Sequence, residues 1–181
     1  MTGAKLQSIL DEMHEILSHA VGPNNRREYM RANGIRGGVN WSFSLTAADI
    51  IRDRIPARVI GCSGIAKLFC HLAASYGLEC RVVAMARLAD WTREDRALHG
   101  VTPDNDKVII NGHQIIAVDT GEGLRMFDPA RRSLQFLGDA PRVGGLIEMF
   151  GTDYIIRALV PGADFMKVLS YWDLDAIYRG Q

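Results

Sequence analysis

Apolar residues return every three or four positions through Leu6, Ile9, Leu10, Met13, Ile16, Leu17 and Ala20, predicting an amphipathic helix that ends before Gly22-Pro23. A second short helix is expected near residues 26–32, stopped by Asn33-Gly34, after which GIRGGVNWS reads as a loop. SLTAADIIRDRI offers Ser44 or Thr46 as a cap and suits another short helix, closed by Pro56. The next helix starts within RVIGCSGIAKLFCHLAASYGLECRVV, residues 58–83, where a Gly-Cys-Ser-Gly corner precedes a long apolar run. Its expected buried stripe is Ile65, Phe69, Leu72, Ala73 and Tyr76; Ala66 and Ala74 permit close approach of another layer, and Gly77 ends it.

Beyond Gly77 the period changes. LECRVVAMARL, HQIIAV and LRMFD are short, rich in Val, Ile and Phe, and separated by glycine turns, so they read as strands. Between the first two, ADWTREDRALHGVTPDNDKV is charged and irregular, with a brief helix at 93–98, and reads as an insertion beside the site. The tail from Pro141 holds GGLIEMFG and ADFMKVLSYWDLDAIYRG, read as two or three more amphipathic helical pieces. No internal repeat or low-complexity linker interrupts the chain. The pattern therefore predicts an α+β fold over residues 1–181 as one domain, with helices flanking an antiparallel sheet and extra helices at both termini.

Composition narrows the function classes. At 48% hydrophobic and 23% charged residues the chain has the makeup of an ordinary soluble globule with a real core. Twenty-one basic residues balance twenty-one acidic ones, so no net field points to nucleic acid or an anionic membrane as partner. The isolated RGG ending at Gly38 does not change that reading. The first twenty residues carry acidic side chains inside their apolar pattern and read as neither signal peptide nor membrane span, so the expected location is the cytoplasm. Cys62, Cys70 and Cys80 cannot all pair within the chain and show no C-x-x-C spacing, which suits free thiols in a reducing compartment. Neither metal nor cofactor is expected. His14 and His19 are five apart rather than four, and Asp104, Asn105 and Asp106 lack the glycine and closing glutamate of a calcium loop. His14, His19 and His71 read as surface histidines, and Cys70 and Cys80 as packing residues.

The remaining thiol is different. Cys62 falls at a helix start, where unpaired backbone N–H groups and the macrodipole favour a thiolate. A cysteine nucleophile needs a base to take its proton and a third group to orient that base. His113 opens an apolar strand after an Asn-Gly turn, and Asp128 closes the following strand just before Pro129. If residues 119–122 form the connecting loop, Val118 faces Gly123, and counting outward sets His113 opposite Asp128. Directly opposed residues share one face, with Cβ atoms roughly 4.5–5.5 Å apart. Cys62 is then the candidate nucleophile, His113 the acid and base, and Asp128 its orienter. The Cys62 N–H supplies one oxyanion donor; Trp41 and Ser42 are weaker candidates for a second.

These residues resemble a family. GCSGIAKLFCHLAASYGLECRVV, then His113 in NGHQIIAV, then Asp128 in MFDPA look like the transglutaminase-like superfamily, whose pattern runs glycine, cysteine, an alanine-rich helix, GI and an Arg-Val strand. The resemblance covers about residues 45–132. Three departures stand out: Ala130 where Asp-Pro-Thr is common, Gln114 and Ile115 where an aromatic strand residue usually follows the histidine, and Leu78 for isoleucine. The Arg-Gly-Gly-x-Cys signature of arylamine acetyltransferases, which use the same triad order, is not matched. The resemblance implies a papain-like core with the catalytic helix packed on the sheet, and Cys62, His113 and Asp128 in the roles above. The function it implies is a cysteine-dependent amide hydrolase or acyltransferase working through a thioester on a protein or peptide amide, hydrolysis being favoured over transfer. The competing expectation is a non-catalytic binding module that keeps the fold and uses the triad as a polar core. The sequence leaves the substrate, the nucleophile that resolves the thioester and the oligomeric state open.

Overall fold

The computed structural model describes residues 2–37, 40–89, 112–138, 140–170, 173, 174, 176 and 177. The brief helix expected at 93–98 and the turn at Asp104, Asn105 and Asp106 lie outside the described residues.

Five helices precede the sheet: α1 (Thr2–Ser18), α2 (Arg26–Ala32), α3 (Asn40–Ser44), α4 (Ala47–Asp53) and α5 (Ala57–Ser75). In α1 the predicted stripe is fully buried at Leu6, Ile9, Leu10 and Met13. The Asn25 side chain caps α2 by accepting from the Glu28 N–H, and Asn33 ends it. Thr46 and Asp49 form a reciprocal capping box at the start of α4. Pro56 does not close that helix. Arg54 does, in a left-handed conformation (φ 50°), and Pro56 caps α5 instead. The end of GIRGGVNWS is likewise helical rather than loop: α3 packs on α5.

Helix α5 is buried nearly all round. Ile65, Phe69, Leu72 and Ala73 are covered as expected, but so are Ala66, Leu68 and Cys70, while Ala74 and Tyr76 face solvent. The Tyr76 hydroxyl donates to Glu12 on α1 (2.6 Å). A single stripe underestimates the burial because α1, α3 and α4 cover the helix on one side and the sheet on another. By length and composition α5 is apolar enough to cross a membrane, yet most of it is buried inside the protein, as in a core helix.

Its most deeply buried charge is Lys67, 1% exposed. The ammonium donates to the carbonyl oxygens of Phe43, Leu45 and Val168, tying α3, the α3–α4 junction and the C-terminal segment to α5. Burial pulls its pKa down to about 8, against the charge of Asp173, which raises it. Lys67→Met removes the ammonium that three carbonyls share. We expect a loss of about 3 kcal/mol, read as a lower urea midpoint. An unchanged midpoint would mean that water replaces the ammonium.

The sheet contains β1 (Cys80–Arg87), β2 (Gly112–Asp119), β3 (Leu124–Phe127), β4 (Phe136–Leu137), β5 (Leu146–Met149) and β6 (Thr152–Pro161), followed by a short helix α6 (Gly162–Phe165). Its order is β4-β3-β2-β1-β6-β5, every pairing antiparallel. The helical reading of GGLIEMFG is corrected here. Leu146 and Glu148 are exposed while Ile147 and Met149 are buried, an alternation too short to be told from a helical turn by period. Its partner β6 pairs with β1 near the middle of the sheet.

Two apolar layers result. Val82, Ala84, Ile116, Val118, Phe127, Ala158 and Val160 pack with the helices. Phe69 of α5 meets Phe127 edge-on, ring centroids 5.2 Å apart. The other layer, including Val83, Met85, Ile115, Met126 and Ile147, comes from strands alone. The sheet curls to enclose it: a Cβ on Gly138, just past β4, would lie 3.7 Å from Ile147 on β5. The fold is α+β, and it brings the start of a buried helix near the start of β2.

Candidate active site

The helix that carries Cys62 turns a backbone corner. The run from Ala57 to Ser75 is broken at Gly61, whose φ of 65° and ψ of −170° are accessible almost only to glycine. Cys62 is therefore the first residue after the break, with its own N–H among those left unpaired at a helix start. Arg26 of α2 holds the preceding turn by donating from Nε to the Val59 carbonyl (2.9 Å).

The base and its orienter come from the β2–β3 hairpin, in a register other than the one predicted. Asp119 pairs with Leu124, so the loop is residues 120–123 and the direct pairing of His113 with Asp128 is displaced by two residues. Continued outward, this register sets Ile115 opposite Asp128 and His113 diagonal to it. The slip is harmless because its size is two: side chains alternate with period two, so both residues keep the same face. Diagonal neighbours remain within reach of long side chains. The His113 Nε2–H donates to Asp128 Oδ2 at 3.0 Å.

His113 and its neighbour Gln114 point to opposite faces of β2. Gln114 belongs with Ile116 and Val118 on the helix side, His113 with Ile115 and Ala117 on the other. Both nevertheless approach Cys62 from the second and third residues of the strand. The thiol donates to Gln114 Oε1 at 2.7 Å, and the sulfur is near enough to the His113 ring to raise its pKa. With Nε2 committed to Asp128, the ring nitrogen left for the sulfur is Nδ1.

Electrostatics favour an imidazolium. Burial works against charge on His113, but hydrogen bonding and charge from Asp128 and Cys62 outweigh it and push the ring up to about 10. Burial also works against the Asp128 carboxylate. It is overcome by the hydrogen bond from His113, the Ala130 N–H (2.9 Å to Oδ1) and the charges of His113 and Arg131, which hold the carboxyl below its usual range. The other two thiols are buried and reach no such partners: burial pushes Cys80 up to about 12 and, with Cys80 nearby, raises Cys70 as well.

His14 is not the plain surface histidine expected. Its Nε2 lies 3.0 Å from the Pro129 carbonyl and 3.1 Å from that of Arg131, and since both partners only accept, Nε2 carries the proton. Gln7 adds bonds to the Arg132 carbonyl and the Leu134 N–H. Helix α1 thus secures the loop that follows Asp128, a role invisible in sequence because the partners are backbone atoms more than a hundred positions away. The His19 ring, just past the end of α1, bonds Glu15, and His71 is exposed. Trp41 stacks on Tyr29 (6.0 Å), and Ser42 is 1% exposed. A cleft of about 520 Å³ opens beside Asp128, lined by Ala130, Arg131, Arg132, Ser133 and Phe150. Arg131 lies over the Phe150 ring at 3.8 Å. Among the described residues, no three His, Cys, Asp or Glu side chains gather to hold a metal.

The fold and the site together define an α+β protein in which a thiol at a helix start meets an imidazole–carboxylate pair from a sheet end. Compared with known proteins, the chain matches no family model, no curated protein and no solved structure.

Proposed function

We propose that the protein is a cysteine-dependent amide hydrolase or acyltransferase of the transglutaminase-like superfamily, with a papain-like core, acting through a thioester on Cys62. One observation carries this reading: His113 is hydrogen-bonded to the Asp128 carboxylate at 3.0 Å, and Asp128 and Cys62 together push its ring up to about 10, although the three residues are separated widely along the chain. His113 takes the thiol proton at Nδ1 while Asp128 fixes the ring through Nε2. The sulfur attacks a carbonyl carbon. The resulting oxyanion meets the Cys62 N–H at the helix start, and collapse expels an amine that receives its proton from His113.

Water or a second amine then resolves the thioester. Hydrolysis is favoured, because Cys62 and His113 are partly exposed and transfer requires a site that excludes water. Incubation with casein and a biotinylated primary amine separates the outcomes. We expect release of ammonia or of new peptide amino termini without biotin incorporation, read against a Cys62→Ala control. Cys62-dependent incorporation of biotin would reassign the protein as a transferase.

A further inference from the structure

We propose that the Gln114 side-chain amide is the second oxyanion donor of the Cys62 site, an inference that rests on the thioester reading above. Gln114 is 5% exposed and its Oε1 lies 2.7 Å from the Cys62 sulfur, so the amide is held against the reacting atom from the helix side of β2. Among the described residues the amide nitrogen has no hydrogen-bond partner of its own.

In the neutral thiol, S–H donates to the amide oxygen. That arrangement fails once the proton moves to His113, because a carbonyl oxygen then faces a thiolate. Turning the amide through 180° about its last torsion exchanges oxygen for nitrogen in nearly the same space. The N–H now donates to the thiolate. As the sulfur lone pair forms the S–C bond, the carbonyl π pair moves onto oxygen, and the new charge lies two bonds from the sulfur that Gln114 already touches. Together with the Cys62 N–H, the amide supplies two donors to that oxygen. When the oxyanion re-forms the carbonyl, the C–N bond breaks and the leaving amine takes the proton from His113. No oxidant or further co-reactant is needed.

Two reagents that act on the same sulfur test the assignment. Iodoacetamide alkylates by displacing iodide and builds no oxyanion, whereas p-nitrophenyl acetate acylates through one and reports each turnover of the thiol as a burst of p-nitrophenolate. In Gln114→Met, a near-isostere that preserves packing, and in Gln114→Ala, we expect the burst rate to fall about a hundredfold. Alkylation should change only a few-fold. Equal losses in both reactions would show that Gln114 merely places the sulfur and would overturn the proposal. A burst left intact in both variants would do the same. Rapid alkylation of the wild-type protein with no burst at all would instead overturn the thioester reading, and this inference with it.

Discussion

At pH 5.5, iodoacetamide alkylates Cys62 about a hundred times faster in the wild-type protein than in His113→Ala. An ordinary thiol is only about one part in a thousand ionised at that pH. His113 is the base that accepts the thiol proton, so the variant that lacks it should react only as fast as an ordinary thiol. His113 remains charged well past neutrality because its ring is pushed up to about 10. The sign follows from that direction. The folded ring holds its proton more tightly than an unfolded one, so its stabilising contribution is complete below the ordinary histidine value of 6.5 and is lost as pH rises through about 10. Asp128→Asn removes a charge that helps keep the ring protonated, and should move that loss to lower pH. A wild-type alkylation rate that climbs tenfold per pH unit and coincides with that of His113→Ala would favour a non-catalytic polar core.

The largest loss of stability at the site is expected from Gly61→Ala. A non-glycine residue in this backbone region costs about 1–3 kcal/mol, and the added Cβ would stand 2.9 Å from Arg26 Nη2. The end of the Arg26 side chain, whose Nε holds the Val59 carbonyl, must then shift. We expect a total loss of about 3 kcal/mol in urea unfolding, with slower alkylation of Cys62 because the corner that presents it has turned. Gly77→Ala is the comparison. It too has a positive φ (69°), but a Cβ there meets nothing within 4 Å, so only the conformational cost of about 1 kcal/mol applies. If both substitutions cost the same, the Gly61 corner plays no special part in placing the thiol.

Local signals made much of the helical half legible. The stop at Asn33, the cap at Thr46 and the helix start at Cys62 depend on residues within a few positions of one another, and each formed where the pattern put it. β5 failed for the converse reason: four alternating residues carry too little period, and pairing with β6 decides their state. The hairpin register was misjudged by two because the four-residue loop sits one position later than expected, and DTGEG does not specify uniquely where the turn falls. Its parity survived, which is why His113 and Asp128 still meet.

The sequence by itself determined the residue types, the helix start at Cys62 and the shared face of His113 and Asp128, since these are properties of short periodic segments. Only the tertiary structure decided that Gln114 touches the sulfur, that His14 secures the Asp128 loop and that Lys67 lies buried among carbonyls. Each of those contacts joins elements far apart along the chain, and no local period records where a strand ends beside a helix start or which backbone oxygens a folded interior leaves to be satisfied.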